Sequence, residues 1–321
     1  MSDTESVGIM TVLVTGASGF IGSAVVARLE ETPAMRVVGC SRAGGRVLWA
    51  SPELSDSADW SGLLAGVDCV IHTAGRAHVL AEEAQDSLAE FRRVNVLGTL
   101  RLAGQAAAAG VKRFLFISSI GVNGNCNTRP YTESDTPQPA EPYAQSKWEA
   151  EQGLWEIQRE TGMEVVIIRP PLVYGPDAPG NFGLLSKVAT KGLPLPLAGI
   201  RNRRSFVSVW NLVDFIVLCI DHPRAAGQTF LVADGEDVST SELLRKLARA
   251  AVRPSRLFWL PAPLLKAGAT ALGKRGIYDR LFDSLQVDAR HARRTLGWVP
   301  PLSLDEGLAR CFRQADEGPV S

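Results

Sequence analysis

Residues 12–22 read VLVTGASGFIG, and no other stretch constrains the chain as strongly. An apolar run, Val12, Leu13 and Val14, passes at once into Gly16, Gly19 and Gly22, and the residues from Ser23 to Leu29 are good helix formers. The pattern is strand, tight glycine turn, helix. The first glycine permits a turn that a Cβ would obstruct. The second lets the backbone approach a pyrophosphate, and the third lets helix and strand pack closely. The N-terminus of the following helix offers free N–H groups and the positive end of its dipole to the anion. This context on both sides distinguishes a dinucleotide-binding turn from an ordinary strand-to-helix turn. The residues expected at the phosphates are Gly16, Ser18, Gly19, Phe20, Ile21 and Gly22.

The alternation continues beyond the turn. Strands are expected at 36–40, at 67–73 (VDCVIHT), at 113–119 (RFLFISS) and at 164–169 (EVVIIR). Between the second and third of these lies an alanine-rich stretch, 84–110, with Phe91, Val94, Leu97 and Leu102 among its helically spaced apolar residues, and Gly110 reads as its C-terminal cap. Another helix is expected over 143–161, after Pro142. Strands alternating with helices predict an α/β fold with a Rossmann-type, doubly wound parallel sheet. After Tyr174 the texture changes to glycine, proline and short apolar pieces. A helix is expected from near Asn211, a strand over 228–233, a helix over 242–251 opened by a Ser239–Glu242 capping box, and a last helix from about Asp305. The expected division is a dinucleotide-binding domain over 10–174 and a smaller substrate domain over 175–321, with about 205–235 returning to the first.

Lys and Arg total 34, as do Asp and Glu, so the overall charge gives no reason to expect nucleic acid as a partner. Five scattered cysteines, three of them inside apolar runs, form no C-x-x-C pair. They point to a reduced, cytoplasmic protein with neither disulfides nor a metal site. Residues 1–8 are polar and acidic and do not read as a signal peptide. The stretch 257–273 is apolar but is interrupted by Pro261, Pro263 and Lys266 and is too short to span a bilayer. It reads as a buried helix of the second domain, with surface docking as the alternative.

The reactive candidates are Tyr143 and Lys147. Their spacing of four puts them on one helix face, one turn apart. An ammonium beside a phenol is expected to favour the phenolate and lower the tyrosine pKa, which suits proton exchange with a carbonyl or alcohol. Ser118 and Ser119 end the strand RFLFISS, at the edge of a parallel sheet that faces its ligand crevice.

Thr15–Gly22, Asn95 in NVLGT, Ser119 and Tyr143-x-x-x-Lys147 occur in an order that resembles the extended short-chain dehydrogenase/reductase family of nucleotide-sugar epimerases, dehydratases and reductases. The resemblance runs on through residues 169–176 (RPPLVYGP) and 204–209 (RSFVSV) to Leu296-Gly297-Trp298. It implies that Tyr143 is the acid/base, that Lys147 holds the nicotinamide ribose, that Ser119 binds the reacting oxygen and that Asn95 supports the cofactor region. Thr73, Ala74, Gly75, Ser118 and Pro170 fall in the cofactor's path, and Glu53-Leu54 matches a segment that touches the adenine. Asn181, Phe182 and Arg204 match positions that hold a sugar-nucleotide diphosphate, and Leu195, Pro196 and Leu197 lie in the segment facing the uracil. Arg76, His78, Gly121 and Val122 are expected to face the sugar. A homodimer through helices at about 86–109 and 143–160 is also implied.

Two departures from the family pattern carry information. Where members preferring NAD often have an acidic residue after the second strand, this chain has Ser41-Arg42, so the expected cofactor is NADP(H), with NAD(H) as the alternative. Where 4,6-dehydratases carry an Asp-Glu pair beside the catalytic hydroxyl, this chain has Ile120-Gly121, neither able to transfer a proton. That excludes dehydration. Residues 75–79 (GRAHV), 180–182 (GNF) and 201–205 (RNRRS) most resemble the UDP-N-acetylquinovosamine 4-reductase group of bacterial O-antigen and capsule biosynthesis. The expected activity is therefore 4-ketoreduction of a UDP-linked 4-keto-6-deoxy-N-acetylhexosamine. The alternatives are a UDP-hexose or UDP-N-acetylhexosamine 4-epimerase with tightly held NAD, and a non-catalytic dinucleotide sensor.

Overall fold

A computed structural model describes residues 9–77 and 87–313. Its main sheet is formed by β1 (Met10–Thr15), β2 (Met35–Ser41), β3 (Trp49–Ala50), β4 (Cys69–His72), β5 (Arg113–Ile117), β6 (Glu164–Arg169) and a later strand over Gln228–Leu231. All neighbouring pairs are parallel, and the order is β3-β2-β1-β4-β5-β6 followed by that last strand. This is the expected doubly wound sheet. Winding reverses between β1 and β4, and the carboxyl ends of the strands open a crevice there.

Helices cover both faces because successive strand residues point to opposite sides. Val12 and Val14 meet α1 (Phe20–Glu30) in a core that includes Val25 and Leu29, whereas Leu13 faces the other way. That second face passes over α2 (Ser61–Leu64), α3 (Ser87–Phe91) and α4 (Gly98–Ala108) to α5 (Pro142–Thr161), with Leu102, Ala106 and Leu154 against Phe114 and Phe116. Of the long helix expected over 84–110, residues 84–86 lie outside the described residues. The remainder is interrupted by a π-helical turn, Arg92–Leu97, between α3 and α4. Gly110 ends it at φ +82°, in the left-handed region that glycine occupies without strain.

A second, two-stranded parallel sheet pairs β7 (Leu172–Tyr174) with β8 (Phe206–Ser208). Between them lies α6 (Gly180–Thr190), which the glycine- and proline-rich texture had concealed. After β8 the chain runs through α7 (Val209–Asp221), which packs on the α1 face of the main sheet, and into the seventh strand, β9 (Gln228–Leu231). The smaller lobe is completed by α8 (Thr240–Ala250), α9 (Ala262–Ala271), α10 (Arg275–Phe282) and α12 (Leu304–Arg313), while α11 (Arg290–Leu296) returns to the main sheet, where Ala292 and Leu296 join the α1-face core. Its core joins Tyr174, Phe182 and Phe206 to Leu243, Leu247 and Leu308. The Ser239–Glu242 capping box opens α8 as expected.

Asp234 ties the two sheets together. Its carboxylate accepts from Tyr174 Oη (2.7 Å), Ser208 N (3.0 Å) and Asn211 Nδ2 (2.7 Å). Cys40, Cys69 and Cys219 are buried free thiols, as their apolar neighbours indicated. The reading of 257–273 as a buried helix is corrected: neither α9 nor α10 contains a buried residue. No helix among the described residues is long and apolar enough to cross a membrane.

Candidate active site

The glycine turn is built as its spacing requires. Gly16 adopts φ +70°, and a Cβ on Gly22 would lie 2.2 Å from the Gly16 carbonyl oxygen, so only glycine lets α1 approach β1 this closely. Beside the turn is a cavity of about 590 Å³ lined by Gly16, Ser18, Gly19, Ser41, Arg42, Glu53, Leu54, Thr73, Ala74 and Gly75. These are ten of the predicted cofactor residues. Two buried side-chain polar atoms among the described residues have no hydrogen-bond partner, Ser41 Oγ and Trp60 Nε1, and both residues line this cavity. Such orphaned groups are costly unless a ligand satisfies them. The cavity thus fits a polar, extended group such as a dinucleotide. Trp60 carried no sequence signal, because in DWSGLL it reads as an ordinary core aromatic.

Other predicted contacts act differently. Phe20 and Ile21 pack onto the hydrophobic core and do not line the cavity. The Ser118 hydroxyl donates to Glu151 Oε1 (2.5 Å). Pro170 is buried, and its carbonyl accepts from Ile120 N (3.0 Å). Arg76, expected at the sugar, lines the dinucleotide cavity and pairs with Glu90 (2.6 Å). Val122 is fully buried, so its side chain cannot meet substrate. His78 lies outside the described residues.

Asn95 sits in the π-helical turn and is buried. Its amide accepts from Arg76 N (2.8 Å) and donates to Arg76 O (3.0 Å) and Ser146 Oγ (3.0 Å), while Ser146 Oγ donates to Tyr143 O (2.7 Å). One side chain thereby links the loop after β4 to the first turn of α5. A π-turn at such a place is a frequent mark of a functional site.

Ser119 caps the short turn Ile120–Val122, and its Oγ accepts from Gly121 N (3.1 Å). That leaves the hydroxyl proton available to another acceptor. A Cβ on Gly121 would approach Ser119 Oγ at 3.3 Å and Ala144 Cβ at 3.2 Å, so the serine turn packs on the α5 residue adjoining Tyr143. The Tyr143 ring meets Phe91 edge-on at 5.9 Å. Lys147 is buried, with Nζ 3.9 Å from the Phe116 ring centroid.

The expectation that Lys147 lowers the tyrosine pKa is corrected for the protein alone. Burial raises Tyr143 to about 12, and burial, partly opposed by Glu151, lowers Lys147 to about 7. The ammonium is itself desolvated, so its own ionisation is what the site resists. His72 is held neutral by burial and by Lys147, its pKa pushed down to about 3, and both ring nitrogens bond to Thr15 and Thr99 hydroxyls.

A second cavity, about 230 Å³, lies in the smaller lobe. It brings together four predicted residues, Asn181, Leu195, Leu197 and Arg204, and adds Arg280, which sequence reasoning missed although it follows a basic run. Arg204 Nη1 donates to the carbonyls of Arg280 (2.9 Å) and Asp283 (3.1 Å). Phe182, expected at the diphosphate, is instead a core residue 5.3 Å from Tyr174, because its helix turns it inward. Pro196 does not line the cavity.

A dinucleotide turn at the switch point of a parallel sheet, followed by a tyrosine–lysine helix, defines an enzyme of the extended short-chain dehydrogenase/reductase class. Residues 12–233 match the model described as the NAD dependent epimerase/dehydratase family, and the chain belongs to that family. It is 43% identical over 318 residues to a UDP-glucose 4-epimerase of Vibrio cholerae, covering 95% of this chain and 96% of that protein. It is 33% identical to a UDP-glucose 4-epimerase of Mycolicibacterium smegmatis, covering 94% and 97%. Among solved structures, MoeE5 in complex with UDP-glucose and NAD superposes with TM-score 0.76 at 26% identity, covering 96% and 99%. These relatives point to 4-epimerases and do not single out the quinovosamine reductase group.

Proposed function

We propose that this protein is a 4-epimerase of a UDP-linked hexose that retains its nicotinamide dinucleotide through the cycle. One observation carries the reading: the turn after Ser119 holds Ile120 and Gly121, so that turn supplies no second proton-transfer group beside the serine. Chemistry is then confined to one carbinol, and the relatives named UDP-glucose 4-epimerase over nearly the full chain support that carbinol being C4.

Tyr143 takes the proton of the C4 hydroxyl and later returns it. Ser119 donates its free hydroxyl hydrogen to the same oxygen, since its own oxygen is already engaged by Gly121 N. Lys147, one turn along α5, orients the cofactor ribose. Asn181 and Arg204 anchor the diphosphate, with Leu195 and Leu197 against the base. When bound, the dinucleotide supplies hydride acceptance and return, and in its oxidised form adds positive charge that favours the ionised phenol. The reading includes a homodimer through α4 and α5, which sedimentation mass tests.

Purified protein given UDP-glucose without added cofactor is expected to form UDP-galactose until the two sugars equilibrate. A second reading, the 4-ketoreductase, is favoured by Ser41 and Arg42 at the end of β2, where no carboxylate stands. It predicts stoichiometric oxidation of NADPH with a UDP-4-keto sugar and no interconversion of the UDP-hexoses.

A further inference from the structure

We propose that the α9–α10 hairpin, with Phe258 and Trp259 just before it, docks on a membrane surface rich in anionic phospholipid. The segment is unusual in its exposure. Val252, Phe258, Trp259, Leu264 and Leu272 are all exposed, with Trp259 at 67% and Leu272 at 73%. Neither helix buries a single residue against the protein. Exposed apolar side chains gathered so closely along one segment mark a contact surface for an apolar partner.

Charge selects the partner. Over residues 252–282 the sequence holds six cationic residues and one anionic residue, Asp279, within a chain whose charges balance overall. Arg253, Arg256, Lys266 and Lys274 are exposed and have no ion pair among the described residues. Exposed apolar and aromatic residues interspersed with cations suit the boundary between acyl chains and anionic headgroups. A twofold contact with a second copy would set this basic surface against itself, which like-charge repulsion opposes. At ten residues α9 is too short to span a bilayer, so the hairpin lies on the surface.

The element is anchored well enough to dock as a unit. Leu195 N donates to Arg256 O (3.1 Å) and Phe258 N donates to Leu195 O (2.9 Å), tying its base to the segment beside the smaller-lobe cavity. On its inner side Ile277 and Leu281 line that cavity. Docking thus places the mouth of the sugar-nucleotide site next to the lipid surface, a placement that does not depend on which sugar is bound.

The test is co-sedimentation of the full chain with vesicles of phosphatidylcholine alone or with phosphatidylglycerol, at low and high salt. Binding is expected only to the anionic vesicles and should weaken in high salt. Lys266→Gln with Lys274→Gln should lower the partition coefficient about 30-fold, and Leu272→Ser should also lower it, with turnover of a soluble substrate unchanged. Absence of binding, equal binding to both vesicle types, or unaltered binding by the variants overturns the proposal. So does self-association in solution that Leu272→Ser abolishes, which would make a second copy the occupant.

Discussion

Glu151 and Arg169 form an ion pair at 2.5 Å with both side chains buried, one helical turn past Lys147. Ser118 Oγ donates to the same carboxylate, and Arg169 Nη1 donates to Asn123 Oδ1 (2.9 Å). The pair thus fastens α5 to β5, to β6 and to the loop after Ser119. It fixes the helix that carries Tyr143 and Lys147 without touching a ligand cavity. Glu151→Ala leaves the guanidinium buried with its charge unpaired, and the expected loss is about 3–5 kcal/mol. Urea unfolding measures it. The double replacement Glu151→Leu with Arg169→Met removes both charges and should recover most of that loss.

Tyr143→Phe keeps the ring against Phe91 and removes the proton. Epimerisation should fall by about 10²–10⁴-fold, the usual worth of a positioned acid/base. Dinucleotide binding, followed by fluorescence, should persist, because the cavity beside the glycine turn does not include Tyr143. Loss of both together would instead mean that the substitution disturbs the fold.

Stability should depend on pH through Lys147. Its pKa falls from 10.5 to about 7 on folding. Between those values the unfolded chain holds a proton that the folded protein has lost, so stability rises with pH across this window, by up to about 1.4 kcal/mol per unit. Below about pH 7 both states are protonated and the full cost of burying the ammonium is present. The buried thiols act oppositely: Cys40 and Cys69 are raised from 9.0 to about 12, so they lower stability above pH 9. Comparing wild type with Lys147→Met at each pH isolates the lysine. The variant should be the more stable near pH 7, and its advantage should vanish by about pH 10.5.

What was legible in the sequence was local. The glycine turn, the bounds of β6 and the α8 capping box follow from residues adjacent in the chain, and the structure has them in place. The π-turn was not legible, because inserting one extra residue per turn leaves the apolar spacing of Phe91, Val94 and Leu97 looking helical. Glu151 was not either: within KWEAEQGLWEI it reads as a solvated charge, and only β6 supplies the arginine that buries it. Phe182 and the 257–273 stretch failed in opposite senses. An apolar residue read as a ligand neighbour is core, and an apolar run read as core is surface, because the side on which a helix finds its partner is set by distant chain.

Cofactor choice provides the sharpest remaining prediction. Ser41 Oγ is buried without a partner, and Arg42 lines the same cavity at the end of β2. A ribose 2′-phosphate would satisfy the hydroxyl and pair with the guanidinium, whereas a 2′-hydroxyl could use only the first. A charge-assisted hydrogen bond is worth about 1.5–3 kcal/mol, or roughly 10- to 150-fold in affinity. Arg42→Ala should therefore weaken NADPH by that factor and leave NADH nearly unchanged, as measured by fluorescence titration. Ser41→Ala should weaken both, since it removes the group either ribose can reach. Equal loss for the two cofactors on Arg42→Ala would show that the arginine serves the adenosine generally, and retained NAD would then accompany the epimerase cycle.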